Sequence, residues 1–559
     1  MKRLVECVPN FSEGRDMAVI DRITARIAAV DGVELLDVDP GAATNRTVVT
    51  FVGEPEAVIE AAVEAGRAAA ELIDMRGHSG EHPRFGAMDV CPLVPVAGLT
   101  MEETVPYAHE LARRLGEEVG LSIYCYENAA KRPDRRNLAT VRAGEYEGLP
   151  DRMASGDHTP DYGPKTFQPR TGATAVGARE FLVAYNVNLN TTSVRRANEI
   201  ASRVREQGYY EREGDEPWGE IVKDAQGKAV RTPGRLKHVK GIGWFIEEYG
   251  IAQISMNLTN ITATPVHEAF DAVVEEAASR GVRVTGSELV GLIPLSAMRA
   301  AGRHYLLKQR RSTGVSDAEL IKIAIKSMGL DELGPFDPAK RIIEYAIRPA
   351  GKRLVDLTLR QFVEETASES VAPGGGSVAA ALGAMGAALG TMVANLTSHK
   401  RSFEERWETY SEWAERGKRC HDEMLELIDR DTDSFNAIMA AGRLPKGTAE
   451  EERIRAEAME EATLGAIAVP FRTIEVAVEA LEVCKAMAEL GNPASASDAG
   501  VGALCARAAA RGAHLNVRIN VPSLADPAKG EDFVRRGAEL VARTEELERE
   551  TLALVEANL

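Results

Sequence analysis

Hydrophobic and polar positions follow two different periods along this chain, and the change of period divides it. In the first 330 or so residues, short alternating runs take turns with runs of helical spacing. LVECVPNF (4–11) reads as a strand. It leads into SEGRDMAVIDRITARIAAV, an amphipathic helix for which Ser12 is the expected N-cap. VELLDVD (33–39) and NRTVVTFVG (45–53) predict a hairpin across PGAAT. EPEAVIEAAVEAGRAAAELIDM (54–75) predicts a helix with Val58, Ile59, Ala62 and Val63 on one face. A strand near 90–96, a helix at 101–118 and a strand at 121–127 follow. This β-α-β-β-α-β order, with one added helix and strand, predicts a split βαβ (ferredoxin-like) sandwich.

Residues 130–180 carry no clear period, and their Gly, Pro and aromatic content predicts a binding loop. The first order then repeats. FLVAYNVNL (181–189) is a strand, SVRRANEIASRVREQG a helix, GIGWFIEE and IAQISMNLTN two strands, VHEAFDAVVEEAASRG a helix and VRVTGSEL a strand. Helices near 295–309 and 316–328 follow, and the polar stretch 207–232 interrupts the plan as an insertion. Two α/β subdomains of similar plan, 1–180 and 181–330, are therefore expected, with a ligand cleft between them.

Strand signals nearly vanish after a Pro-punctuated connector at 331–352. Ala-rich helical runs fill 353–559, broken near 373–376, 442–447 and 491–493, which predicts an all-α bundle domain. Val371–Ser398 carries no charge. Its Ala and Gly content gives poor transfer into lipid, so a buried helix is expected there rather than a membrane span.

Composition narrows the function. The 559 residues carry a net charge of −18, with 44% hydrophobic and 27% charged residues. That balance argues against a nucleic-acid or anionic-membrane partner, but leaves room for a local basic pocket for an acidic substrate. Six scattered cysteines without a CxxC pair read as thiols of a reducing compartment, not as a disulfide frame or zinc site. MKRLVECVPNF has no apolar run long enough for a signal peptide, and a cytoplasmic protein is expected.

Chemistry concentrates in a few stretches. RGHSGEHPRFGAMD (76–89) sets His78 and His82 in a Gly-rich loop with Glu81, Arg84 and Asp89. A titratable base, a carboxylate and a guanidinium between regular elements suit catalysis, and equally suit a polar surface turn with capping histidines. Asn10, Asp39, Thr44, Asn45 and Arg46 are further candidates. Asp39, at a strand end, could orient His82, or could simply cap the turn at Pro40 and Gly41.

In the C-terminal half, APGGGSVAAALGAMGAALG (372–390) has glycines before a helix start, which lets backbone N–H groups approach an anion. It fits neither a P-loop nor a dinucleotide loop, and tight helix packing explains it as well. Asp429, Asp431 and Asp433 cannot all share one helix face. Lys446, Asn492 and Asp498 sit in loops, while Asn516 and Asn520 share a face if their stretch is helical. Several Asn and Asp residues in an apolar bundle suggest a polar pocket, with surface exposure as the alternative.

Taken in order, these segments resemble a known family. LVECVPNFSEG, DVDPGAATNRTVVTFVG, IDMRGHSGEHPRFGAMDVCPLVPV, VRAGEYEGLP, DYGPKTFQPRTGATAVGAREFL, PGRLKHVKGIGWF and GSELVGLIPL resemble glutamate formimidoyltransferase. SVAPGGGSVAAALGAMGAALGTMV, LIDRDTDSF and RLPK resemble formimidoyltetrahydrofolate cyclodeaminase.

The resemblance implies two consecutive reactions. N5 of tetrahydrofolate, a co-substrate, attacks the formimidoyl carbon of N-formimidoyl-L-glutamate and releases glutamate. The formimidoyl group then cyclises onto N10, giving 5,10-methenyltetrahydrofolate and ammonia, within histidine degradation and one-carbon metabolism. It implies His82 as the transferase catalytic histidine, with Asp39 the candidate to orient it and His78 left as a neighbour. Glu81 is a nearer alternative to Asp39.

The implied folate loop is Gly163, Pro164, Lys165, Thr166, Phe167, Gln168, Pro169, Arg170, Thr171 and Gly172. Thr171-Gly172 replaces a Trp-Gly pair of the family, and the insertion at 207–232 departs from the shorter animal form. Asp431 is the implied acid of the second reaction, with Gly374, Gly375, Gly376 and Ser377 holding folate. Lys446, Asn492, Asp498 and Asn516 are implied pocket residues. The reactions need no metal or redox cofactor. The family implies a homo-oligomer acting on folate, including its polyglutamates. Rival readings are a methenyltetrahydrofolate cyclohydrolase in the C-terminal half and a folate-binding scaffold.

Overall fold

A computed structural model describes residues 3–42, 45–80, 84–156, 158–215, 219–347 and 353–559. The chain forms two compact units, Met1–Met298 with Met328–Arg348, and Arg299–Ser327 with Pro349–Leu559.

The first unit holds two sheets. Strands β1 (Leu4–Cys7), β2 (Asn10–Phe11), β3 (Val33–Gly41), β4 (Arg46–Gly53), β5 (Met88–Ala97), β6 (Ser122–Glu127) and β7 (Ala173–Ala178) build a mixed sheet. Its order is β3-β4, then β1 and β2 together, then β5-β7-β6. β7 runs parallel to β5 and β6, and the other pairings are antiparallel. Helices α1 (Met17–Ala28), α2 (Pro55–Leu72) and α3 (Met101–Arg114) bury Ile23, Ile27, Val58, Ala62 and Leu111 against Val5, Cys7, Val49 and Phe51.

Because side chains alternate along a strand, the partners of those core residues turn to the opposite face. Glu6, Val8 and Asn10 point there, as do Asp37 and Asp39, Arg46, Val48 and Thr50. One sheet face is thus core, and the other is polar and available.

Two local expectations change. Asp16, not Ser12, caps α1 by accepting from the Ala18 amide, while the Ser12 hydroxyl donates to the Gly86 carbonyl. The stretch 130–180 is not a single loop: it holds the short helices α4 (Leu138–Val141) and α5 (Glu145–Ala154) and all of β7. β7 reads ATAVGA and is buried on both faces, so it shows no alternation to betray it.

The second sheet comprises β8 (Val183–Leu189), β11 (Val239–Ile246), β12 (Ile251–Leu258) and β13 (Val284–Val290), in the order β11-β12-β8-β13 and antiparallel throughout. Helices α6 (Val194–Val204) and α7 (Val266–Ala278) pack on one face of it. The insertion forms the hairpin β9 (Tyr209–Tyr210) and β10 (Arg231–Thr232).

Helices α8 (Leu295–Lys308) and α9 (Asp317–Met328) were expected to close the second subdomain, yet Arg299–Ser327 belongs to the second unit. Polar contacts hold it there. Arg303 pairs with Glu415 at 2.7 Å, Lys418 with Asp317 at 3.0 Å, and the Asn395 amide donates to the Gly314 carbonyl at 2.8 Å. Short helices α10 (Pro338–Arg341) and α11 (Ile343–Ala346) stay with the first unit.

The rest of the second unit is a helical bundle: α12 (Leu359–Thr366), α13 (Gly375–Ser398), α14 (Trp407–Gly442), α15 (Ala449–Leu490), α16 (Ala496–Asn520) and α17 (Ala528–Glu556). α15 starts at a capping box of Thr448 and Glu451. α13 is long and apolar enough to cross a membrane, but it packs against α14, α15 and α16 as the central helix of the bundle. Its small residues allow that. A Cβ on Gly386 would lie 2.7 Å from the Gly502 carbonyl of α16, so only glycine lets these backbones approach so closely.

Candidate functional site

The first unit encloses a cleft of about 480 Å³ between its two sheets. The polar face of the first sheet forms one wall, and Ala184, Lys240 and Asn257 of the second sheet form part of the other. Arg179, Phe181 and Leu182, in the connection between the sheets, complete it.

Both signs of charge meet here. Arg142 donates to buried Asp89 at 2.7 Å, and Arg46 feels the charge of both Asp89 and Asp39. Burial lowers the Arg46 pKa and raises that of Asp89, against the pull of Arg142 and Arg46. Glu6 is 5% exposed, and burial pushes its carboxyl up to about 7, with Arg179 opposing. Asp37 is also raised, by burial first and then by Asp39. Among the described residues the buried Oδ1 of Asn10 has no hydrogen-bond partner, and its residue lines the cleft. Such an atom is satisfied by a bound ligand or water.

His82 and Glu81 lie outside the described residues, as does Thr44. The flanks of their loop are well defined. The Arg84 Nε donates to His78 Nδ1 at 3.3 Å, and the other ring nitrogen, Nε2, sits 2.9 Å from the Asn45 carbonyl. His78 is therefore the Nε2–H tautomer with both nitrogens engaged, a strut rather than a free base. Asn45, in the left-handed region at φ 48°, accepts from the Gly14 amide and donates to the Ser79 carbonyl at 3.0 Å. Arg84 is held in turn by Glu145 and Glu147. Asp39 lines the cleft, opposite Val48 in the hairpin.

The loop Gly163–Gly172 does not line the cleft. It packs beside the histidine loop: Met75 donates to the Arg170 carbonyl, Ala87 to that of Thr171, and the Phe167 ring lies 5.5 Å from Tyr146. Tyr146 also donates its backbone amide to the Arg84 carbonyl, so the two loops share one support. Lys165, Thr166, Pro169 and Arg170 are exposed, while Gln168 donates to the Thr166 carbonyl.

A second, separate pocket of about 140 Å³ lies in the helical unit. Its floor is the N-terminus of α13 at Gly374–Gly376, and α14 supplies Asp431, Thr432 and Phe435. Asp431 Oδ2 accepts from the Ser377 hydroxyl at 2.9 Å, and the carboxylate also accepts from the Ser377 amide. Burial nonetheless raises its pKa, outweighing both bonds. A Cβ on Gly376 would overlap the Asp431 carboxylate, and one on Gly375 would lie 3.4 Å from the Asn516 amide.

Asn516 and Asn520 both reach this pocket from α16, one helical turn apart. Asn516 donates to the Gly512 carbonyl and Asn520 to the Ala466 carbonyl, each at 2.9 Å. Of the other two aspartates, Asp429 turns away and pairs with Arg353 at 3.0 Å.

Three expected pocket residues lie elsewhere. Lys446 is exposed in the α14–α15 loop. Asn492 caps the turn before α16, accepting from Lys400 and the Ala494 amide at the opposite end of α13. Asp498 sits in the first turn of α16, far along that helix from Asn516. Conversely, Glu6, Arg142, Arg179 and Lys240 in the cleft, and Thr432, Phe435 and Ala466 in the pocket, had not been singled out. The alternation of LVECVPN carried the signal for Glu6, since it sets Glu6 opposite the core face of Val5 and Cys7.

Comparison with known proteins covers both units. Residues 4–179 match the formiminotransferase domain, N-terminal subdomain, residues 184–348 the formiminotransferase domain, and residues 358–539 the formiminotransferase-cyclodeaminase model. Formimidoyltransferase-cyclodeaminase of Gallus gallus is 43% identical over 562 residues, covering 100% of this chain and 99% of its own. Glutamate formimidoyltransferase of Streptococcus pyogenes serotype M1 is 41% identical, over 55% of this chain and 94% of its own. Methenyltetrahydrofolate cyclohydrolase of Methylorubrum extorquens is 36% identical, over 33% of this chain and 89% of its own.

Proposed function

The chain belongs to the formimidoyltransferase-cyclodeaminase family, and from that membership we propose how its two pockets divide the work. The enzyme transfers the formimidoyl group from N-formimidoyl-L-glutamate to N5 of tetrahydrofolate, then cyclises the product to 5,10-methenyltetrahydrofolate with loss of ammonia.

The cleft of the first unit is assigned to the transfer. The donor carries two carboxylates and a cationic amidine, and the cleft offers Arg46, Arg142, Arg179 and Lys240 beside Glu6, Asp37 and Asp39. N5 attacks the amidine carbon, and the tetrahedral intermediate collapses as the glutamate nitrogen takes a proton. His82 is the proposed proton carrier, and the engagement of both nitrogens of His78 supports that choice. Glu6, which lines the cleft and is held protonated to about pH 7, is a second proposed proton source. Asp39 is proposed to position His82, and the loop Gly163–Gly172 beside it to hold the folate. Both α/β halves are proposed to be variants of one ferredoxin-like sandwich.

The helical pocket is assigned to the cyclisation. The Asp431 carboxyl at the N-terminus of α13, bonded to Ser377, is the observation that carries this reading. N10 attacks the amidine carbon while Asp431 takes its proton, and that proton then leaves on the departing ammonia. A carboxyl raised by burial accepts a proton more readily than an exposed one and holds it until the departing amine, a stronger base, takes it. Gly374–Gly376 and Asn516 are proposed to hold the reacting ring. The pocket's volume suits that ring and not a whole folate.

Assembly into a homo-oligomer in the cytoplasm, and use of polyglutamylated folate, are part of the same proposal. Exposed Met385, Met392 and Leu396 of α13 and Val501 and Leu504 of α16 support the first. The test of the second site feeds purified protein 5-formimidoyltetrahydrofolate and follows ammonia. Ammonia release supports the deaminase. Hydrolysis of added methenyltetrahydrofolate without any ammonia from the formimidoyl compound supports the cyclohydrolase instead.

A further inference from the structure

The insertion at 207–232 borders a basic cavity that neither reaction uses. About 320 Å³ in volume, it lies between α6 and the β9–β10 hairpin. Arg195, Arg203 and Arg205 reach it from α6 and its end, and Arg212 and Arg231 from the insertion. Tyr209 and Tyr210 complete it, with the Arg203 guanidinium 4.2 Å above the first ring and Arg231 4.5 Å above the second.

Arg203 pairs with Glu276 at 3.7 Å, but the other four arginines are not neutralised. Among the described residues, Arg195, Arg205, Arg212 and Arg231 pair with no carboxylate. The one acid among the described residues of the lining, Glu199, is already engaged by Arg196 at 3.0 Å and Arg280 at 2.9 Å. Arg205 donates from Nη1 to the Gly241 carbonyl, while its buried Nε has no partner among the described residues. Concentrating like charge in this way is costly unless an anion occupies the space. In a chain of net charge −18 it is a local reversal of sign. The cavity lies on the helix-covered face of the second sheet, whereas Ala184, Lys240 and Asn257 face the cleft from the other, so the sheet separates the two sites.

We propose that this cavity binds a compact oligophosphate, either inorganic or carried by a nucleotide. Phosphate concentrates charge and acceptor oxygens in a small volume and matches the planar forks of arginine. A chain of carboxylates spreads one charge per residue and so matches a compact cluster of arginines less well. Tyr210, 44% exposed beside Arg231, gives a nucleotide base a surface to stack on.

The test is calorimetric titration of the full-length protein with tripolyphosphate, ATP and γ-linked triglutamate, at low and at physiological salt. Saturable binding of tripolyphosphate and ATP is expected, weakened about tenfold by Arg231→Ala and by Arg195→Ala. Both side chains are at the surface, so transferase activity should be unchanged in these variants. Tighter binding of ATP than of tripolyphosphate, lost in Tyr210→Ala, identifies the nucleotide as the source. Equal binding identifies the phosphate chain alone. Absence of phosphate binding, unchanged affinity in both arginine variants, or binding of triglutamate in place of tripolyphosphate overturns the proposal.

Discussion

Asp431 and Glu6 are both carboxyls raised by burial, but their surroundings differ and so do the consequences of changing them. Asp431 keeps two donors from Ser377, so its charged form has partners before it takes the proton proposed to come from substrate. Its removal in Asp431→Asn should lower ammonia formation by about 10²–10⁴-fold, the range for a lost general acid–base group. The acid limb of the wild-type deaminase pH profile should lie above the ordinary aspartate value of 3.8 and vanish in that variant. Gly376→Ala, which leaves Asp431 present but displaced, should cost about 10²-fold in the same assay.

Glu6 has a folded pKa of about 7 against 4.5 unfolded, so the folded state binds more protons between those values. Stability is fully present below pH 4.5 and falls as pH rises to 7. Glu6→Gln should therefore gain ~3 kcal/mol at pH 8 and little at pH 4.5, which denaturant melts at the two pH values will read. Asn492→Ala tests a residue that sequence reasoning put in the folate pocket. As a cap it should cost ~1 kcal/mol of stability and leave the deaminase kcat unchanged.

At the scale of elements, legibility followed period. Strands with one wet face and helices with one apolar stripe were plain in the sequence, including both β-α-β-β-α-β runs and three breaks of the helical bundle, though not those at 399–406 and 521–527. β7 was not, because a strand buried on both faces and built of Ala, Thr and Gly carries neither alternation nor bulk. The same limit applies to sites. Asp431 and Asn516 share a pocket because α13, α14 and α16 bring their ends together, and nothing in the local spacing of either residue encodes that meeting. Asn492 and Asp498 look similar in sequence but belong to the far ends of the same helices. Close packing through glycine also has a measurable price. A side chain at Gly502 meets both Cys484 and the Gly386 carbonyl at 2.9 Å, so Gly502→Val should destabilise the bundle by ~1–3 kcal/mol and lower its Tm.

At the scale of the molecule, two pockets of different construction are proposed to serve successive steps on one folate. The first has mixed charge and lies between two sheets, and the second is small and set at a helix N-terminus. Each draws its groups from one unit alone, so their chemistry should separate by mutation. The most direct measurement gives Asp431→Asn enzyme N-formimidoyl-L-glutamate and tetrahydrofolate, and follows glutamate, ammonia and methenyl absorbance together. Glutamate should appear at close to the wild-type rate while 5-formimidoyltetrahydrofolate accumulates, with neither ammonia nor methenyl product. Ammonia at the wild-type rate, or loss of glutamate release in a protein that remains folded, would contradict the two-site account.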